Sequence, residues 1–203
     1  MTTASSKRPY AARLPPQERR EQLLDAALLI INTDGVGAVS VDAVARTAGV
    51  TRPVVYGQFA DTGDILRTLL TREEQRALAQ LAELLPREPA EHDPVELFTA
   101  TLDGFLRAVT AHPDTWRAIL LPVDGVPPPV RRHVERADRQ LRDRFAALCR
   151  WALGEREVDV ELLAESLLAL MKQAGRLVLA ERELYPPERI TAFGRAMASA
   201  FLS

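Results

Sequence analysis

Three histidines and one cysteine are the side chains in this 203-residue chain best suited to metal ligation, proton transfer or nucleophilic attack. His92, His112 and His133 stand twenty or more positions apart, without the short spacing of H-E-x-x-H that puts two imidazoles on one helix face. They read as surface or helix-end residues, and no metal is expected. Cys149 follows Leu148 in an apolar stripe and reads as a packing residue, because a reactive thiol needs an exposed, polarised setting. A single cysteine also excludes an internal disulfide framework and a multi-cysteine zinc site. Gly35-Val36-Gly37 ends a helical run instead of following a strand, so it does not form a dinucleotide loop. Neither a catalytic set nor a cofactor is expected.

The other chemistry-bearing segment is VSVDAVARTAGVTRPVVYGQF, residues 39–59. Ser40 can cap a short helix containing Val41, Val44, Ala45 and Ala48. Gly49 breaks it, and Thr51 can accept the first amides of a second short helix with Pro53 in its opening turn. Val44, Ala45, Ala48, Val50 and Val55 would pack the two together. This is the spacing of a helix-turn-helix, whose second helix enters the DNA major groove, and equally that of an ordinary corner in a helical bundle.

The elements around this segment are helical throughout. Leu23, Ala26, Ala27, Ile30 and Ile31 recur at helical spacing from Glu18 to about Thr33. A helix after Asp61 or Thr62 should run to Leu85, about 35 Å long, until Pro86 and Pro89 stop it. Asp93-Pro94 is a cap and first turn for a helix with Phe98, Leu102, Phe105 and Val109 on one face. Further helices are expected over 113–121, from Pro127-Pro128-Pro129 to Gly154, over 159–183 and over 187–202. Strand signatures and internal repeats are missing from the pattern, so the fold class is all-α with about nine helices.

Apolar residues at 47% and charged residues at 27% fit a globular chain and exclude intrinsic disorder. No apolar run approaches the roughly 18 residues of a membrane span, and no secretion segment is read at the N-terminus, so a cytoplasmic protein without a membrane partner is expected. The net charge of −2 announces no partner by itself. Residues 1–20, however, carry Lys7, Arg8, Arg13, Arg19 and Arg20 against Glu18 alone. Such an arm can bind phosphate or remain a solvated tail.

Residues 19–70 resemble the N-terminal DNA-binding domain of the TetR family of bacterial transcriptional regulators. The likeness is carried by Leu23-Leu24-Asp25-Ala26-Ala27, Asp34-Gly35, Ser40-Val41-Asp42, Ala48-Gly49-Val50-Thr51, Val55-Tyr56, Phe59 and Ile65-Leu66. It covers about a quarter of the chain, and as an ordered set it is specific. The resemblance implies that Thr51, Arg52, Pro53 and Val54 form the base-facing turn of a recognition helix. It implies too that Tyr56 meets a phosphate and that Phe59 is a core aromatic. Arg52 can pair with a guanine edge and Val54 can touch a thymine methyl. Where the family often has His and Lys, this chain has Gln58 and Thr62, which can donate to phosphate without charge. With Ser40, these residues make the expected DNA-binding set, and the basic arm is expected to supply the missing charge.

Beyond that domain the resemblance rests on helix number and length. A ligand-binding set is expected from Phe98, Thr101, Leu102, Phe105, Trp116, Phe145, Trp151, Met171, Gln173 and Arg176, although the same apolar residues describe a solid core. A dimer interface is expected from Leu163, Leu167, Leu170, Ala174 and Leu177 with Ile190, Phe193, Met197 and Phe201, with intramolecular packing as the other reading. The organisation follows as a basic arm (1–18), a helix-turn-helix domain (19–62) and a ligand-binding and dimerisation domain (63–203). The expected function is that of a non-enzymatic regulator, a repressor released from a palindromic operator in double-stranded DNA by an apolar or aromatic small molecule. A helical enzyme or carrier with a helix-turn-helix-like corner, or a DNA-binding regulator controlled by a protein partner, is the alternative.

Overall fold

The computed structural model describes residues 14–82, 92–120 and 128–202. Within them lie nine α-helices and one short 3₁₀ turn, and no strand. The helices are α1 (Pro16–Asp34), α2 (Val41–Thr47), α3 (Arg52–Tyr56), α4 (Thr62–Ala82), α5 (Pro94–Ala111), α6 (Pro113–Leu120), α7 (Pro128–Leu153), α8 (Val160–Ala180) and α9 (Pro187–Leu202), with the 3₁₀ turn at Val36–Ala38 after α1. The all-α expectation and its helix number are met. Differences fall at the ends. α1 starts at Pro16, inside the stretch read as an arm, because proline suits a first turn where its missing N–H costs nothing. α3 stops at Tyr56, short of Gln58, and α8 stops at Ala180, short of Glu183. Lys7, Arg8 and Arg13 of the arm, residues 83–85 of the longer α4 expected, and Pro127 lie outside the described residues.

Two apolar cores organise these helices. The first gathers Leu23, Leu24, Ala27, Ile30 and Ile31 of α1, Val44 of α2, Val55 of α3, Phe59, and Ile65, Leu66 and Leu69 of α4. The second gathers Leu102, Phe105, Leu106 and Val109 of α5, Trp116 and Leu120 of α6, and Ala174 and Val178 of α8. Helix α6 belongs to both, since its Ala118 lies in the first core while Trp116 and Leu120 lie in the second. Gly175 lets α8 come close at this point. A Cβ there would stand 2.6 Å from Leu120 Cδ1 and 3.0 Å from Phe105 Cζ.

Around these cores, α7 and α8 form a hairpin joined by Lys172–Asp138 at 2.7 Å and Arg142–Glu165 at 2.5 Å. α9 packs mainly on α5, where Arg195 grips Glu96 with both amino groups at 2.5 and 2.9 Å. That hydrogen bond holds the Glu96 carboxyl below the ordinary glutamate range.

Among the described residues, one charged group is fully enclosed. Glu73 of α4 has no exposed surface. Its Oε1 accepts from Arg72 Nε at 2.8 Å and Arg76 Nη1 at 3.0 Å, and its Oε2 accepts from the Thr115 hydroxyl of α6 at 2.7 Å. Arg72 also reaches Glu21 and Asp25 of α1, each at 2.8 Å. Burial pulls the Arg72 guanidinium down, but Glu21, Glu73 and Asp25 together outweigh it and raise it above its ordinary value. Removing one member of such a buried set strands the others, at a cost of about 3 kcal/mol or more. Glu73→Ala is therefore expected to lower the urea unfolding free energy by about that amount, with Thr115→Val costing less because the two arginines keep their acceptor.

Candidate nucleic-acid interface and apolar cavity

Local rules build the α2–α3 unit. Ser40 caps α2 by accepting the Ala43 N–H at 3.1 Å. The C-terminus closes as a Schellman motif: Val50 N–H donates to the Ala45 carbonyl at 2.9 Å and Gly49 N–H to the Arg46 carbonyl at 3.2 Å. Gly49 has φ +66°, where a side chain would be strained, and so fixes the turn. Thr51 occupies the cap position of α3 but makes no side-chain cap bond, contrary to expectation. The physical reason lies in the next residues: Pro53 has no N–H to offer, and Val54 N–H already donates to the Thr51 carbonyl at 3.0 Å.

Helix α3 turns a single side chain inward. Val55 is fully buried, whereas Thr51, Arg52, Pro53, Val54 and Tyr56 are exposed. Phe59, also buried, carries the Arg20 guanidinium 4.2 Å above its ring. Arg20 further donates to the Gln58 carbonyl and, at 3.3 Å, to the Thr68 hydroxyl, so one arginine ties α1, the α3–α4 loop and α4 together. At the start of α4, Thr62 lies between Asp61 and Asp64, which cap the helix: Asp64 N–H donates to Asp61 Oδ1 at 2.7 Å, and Ala60 N–H to Asp64 Oδ2 at 3.1 Å. Two carboxylates thus flank the position where the TetR pattern often carries a lysine. Two residues outside the expected set share the surface. Asp42 of α2 forms an ion pair with Arg52, and Arg46 is exposed one turn further along the same face.

A second feature is a cavity of about 700 Å³ between α5, α7, α8 and α9. Seven residues of the expected ligand set line it: Phe98, Thr101, Leu102, Phe145, Trp151, Met171 and Gln173. Three do not. Phe105 and Trp116 are spent on the second core, edge to face with centroids 5.1 Å apart, and the Trp116 indole N–H is satisfied by Gln80 at 2.9 Å. Arg176 turns to the Leu120 carbonyl at 2.7 Å. All nine residues expected at a dimer seam also line the cavity, because α8 and α9 face each other across it and pack mainly on α7 and α5. Its rim includes the exposed Leu170, Phe193, Met197 and Phe201. Gly194 brings α9 against Leu102, where a Cβ would collide. Leu97, Ser166, Tyr185 and Arg189 also line it and were not anticipated: Leu97 sits one residue off the Phe98–Leu102–Phe105–Val109 face, Tyr185 lies between helices, and Ser166 and Arg189 are polar. Cys149 lies on the wall, and burial pushes its thiol up, away from the reactive thiolate. Among the described residues, no group of three or more His, Cys, Asp or Glu could hold a metal ion, and no helix is long and apolar enough to cross a membrane.

Residues 23–69 match the family model of bacterial regulatory proteins, tetR family. The helix-turn-helix region is thus a TetR-family DNA-binding domain. Among curated relatives, the AcrR regulator of Shigella flexneri is 41% identical over 49 residues, 24% of this chain and 23% of its own. The EthR regulator of Mycolicibacterium smegmatis is 30% identical over 122 residues, 58% of this chain and 55% of its own. The chain thus spans from about a quarter to just over half the length of these two relatives. Solved structures extend the TetR likeness of the fold to nearly the whole chain. A TetR-like regulator from Rhodococcus superimposes with a TM-score of 0.76 at 23% identity, covering 94% of this chain and 98% of its own. SmeT, in complex with triclosan, gives 0.71 at 21% identity over 91% of both chains.

The cavity volume falls within the roughly 300–1,000 Å³ of small-molecule sites. An uncharged naphthylamine dye should therefore bind this chain saturably with a rise in emission. Leu167→Trp, which fills the wall, is expected to weaken uptake about tenfold or more, as read by fluorescence titration.

Proposed function

We propose that this chain is a transcriptional regulator, not an enzyme, which grips operator DNA as a dimer in the cytoplasm and releases it when an apolar small molecule enters the cavity. The observation that carries the reading is the outward display of Thr51, Arg52, Pro53, Val54 and Tyr56 from a helix whose Val55 alone is buried. A short helix projected this way from a two-helix unit suits the major groove. Arg52 would read a guanine edge, Val54 a thymine methyl, and Tyr56 would donate to phosphate. Ser40 and Gln58 flank that surface as further hydrogen-bonding groups. Thr62 contributes less in this reading, since the capping carboxylates beside it repel phosphate, and anchoring falls to the basic arm and Arg46.

The ligand class follows from the wall. It is overwhelmingly apolar and partly aromatic, with Thr101 and Gln173 as orienting groups, which suits an uncharged or weakly polar aromatic molecule. SmeT in its triclosan complex is a neighbour of this fold and supports a small-molecule effector. Repression relieved by ligand needs only that the ligand favour the conformer whose recognition helices are wrongly spaced. The dimer would close the open side of the same groove, covering the exposed apolar side chains Leu170, Phe193, Met197 and Phe201. Two-fold symmetry then sets the recognition helices about 34–36 Å apart on a palindrome.

Two measurements test this. In titrations against single-base variants of a selected operator, Arg52→Ala is expected to cost about 1–3 kcal/mol at one base pair, while Tyr56→Phe weakens every site alike. An unchanged Arg52→Ala profile would remove the helix from the groove. Sedimentation velocity should show a dimer for the native chain and a monomer for Phe193→Glu, whose charge would be buried without a partner. A native monomer that still protects a double-length site would contradict the interface.

A further inference from the structure

The ion pair between Asp42 and Arg52 has no stability role large enough to explain it. Asp42 stands in the first turn of α2 and Arg52 is the first residue of α3, ten positions on and across the Gly49 turn. The two side chains keep 52% and 64% of their surface exposed. A pair that open contributes little to folding. Its geometry is more informative. Asp42 Oδ1 takes the Nε–H of Arg52. That contact engages Nε and leaves the two terminal amino groups, Nη1 and Nη2, as the fork available to a base. A free arginine must give up most of its rotamer freedom when it docks on a base edge, and this pair surrenders part of that freedom beforehand.

We infer that Asp42 is a specificity-determining positioning residue, which aims the outer fork of Arg52 at a guanine through the Asp42 Oδ1 to Arg52 Nε contact. The inference rests on the DNA reading above and adds to it a second residue, one that touches no base. Guanine presents O6 and N7 as a pair of acceptors matched to a planar fork, so its recognition depends on the angle of the guanidinium as well as its presence. Asp42 fixes that angle. The same carboxylate brings a negative charge towards the phosphates, so it opposes binding to DNA of any sequence. Affinity and discrimination therefore move separately when Asp42 is removed. Discrimination falls, whereas affinity for non-specific DNA stays level or rises. A merely structural role would lower the melting temperature and weaken all binding together.

The test uses the full chain and a duplex operator selected from random sequence by the native protein, with every single-base variant titrated by fluorescence anisotropy at fixed salt. Arg52→Ala first assigns the base pair that Arg52 reads, by a loss of discrimination of about 5- to 150-fold there. Asp42→Ala is expected to lose about three- to tenfold at that same base pair, with an unchanged melting temperature and no loss of non-specific affinity. Asp42→Asn, which keeps an acceptor for Nε without the charge, should restore much of the discrimination. In the double variant the loss should not exceed that of Arg52→Ala, because the two residues act as one device. If Arg52→Ala alters no base pair, the DNA reading fails and the inference falls with it. If Arg52→Ala assigns a base pair and Asp42→Ala leaves it untouched, or changes a different one, the inference alone is overturned.

Discussion

Burying the Glu73 carboxylate with no exposed surface obliges the surrounding helices to satisfy it from several directions at once. Arg72 and Arg76 come from its own helix, but Thr115 comes from α6, so α4 and α6 must meet at this level. Arg72 then reaches α1 through Glu21 and Asp25. Three helices from two cores are thereby registered by one anion. Apolar contacts alone would allow α6 to slide along α4, because dispersion and area burial are weakly directional. Directional acceptors do not allow it. The cluster thus adds a directional constraint to the apolar contacts that α4 and α6 make in both cores.

The second core passes that registration to the cavity. Leu102 lies on the cavity wall and in the core that holds Trp116 and Leu120, while Ala118 of the same α6 lies among the α1 and α4 side chains. Gly175 brings α8 so close to Leu120 and Phe105 that the α5–α6–α8 contact has little room to give. A displacement of the cavity wall therefore has a short, close-packed route to α4. Ligand and partner subunit, in the proposed function, also compete for definition of one groove, since the rim residues are the ones read as a dimer seam.

Much of this was legible in the sequence, and the failures have physical causes. Proline and glycine punctuation located the helices, and Ser40, Asp93 and Asp159 cap α2, α5 and α8 through backbone N–H groups at 3.1, 2.9 and 2.9 Å. Thr51 misled because its capping role depends on the donors downstream, and Pro53 removes one. Phe105 and Trp116 misled because aromatic content does not say which side of a helix faces a void and which faces a core. Periodicity on α8 and α9 identified an apolar surface correctly, but an apolar surface can border a cavity, a partner or both. Glu73 gave no signal at all. In a run of Arg-Glu-Glu-Gln-Arg it looks like a solvated face, and only the approach of α6, remote in sequence, encloses it. Asp42 escaped for a similar reason, because its partner lies beyond a turn.

A helix of five residues cannot hold itself in water, since nucleation alone exceeds what so few hydrogen bonds return. Helix α3 is such a helix, so its direction is inherited from its anchors. Val55 and Phe59 sink into the core shared with α1 and α4, and Arg20 fastens the Gln58 carbonyl, the Phe59 ring and Thr68 to α1. The exposed residues of α3 therefore have no orientation of their own; they move with α1 and α4 as a body. This is why a fixed angle for Arg52 is possible on so short an element, and why a small rotation of α4, held near its middle by Glu73 and Thr115, would move the whole reading surface without unfolding any part of it.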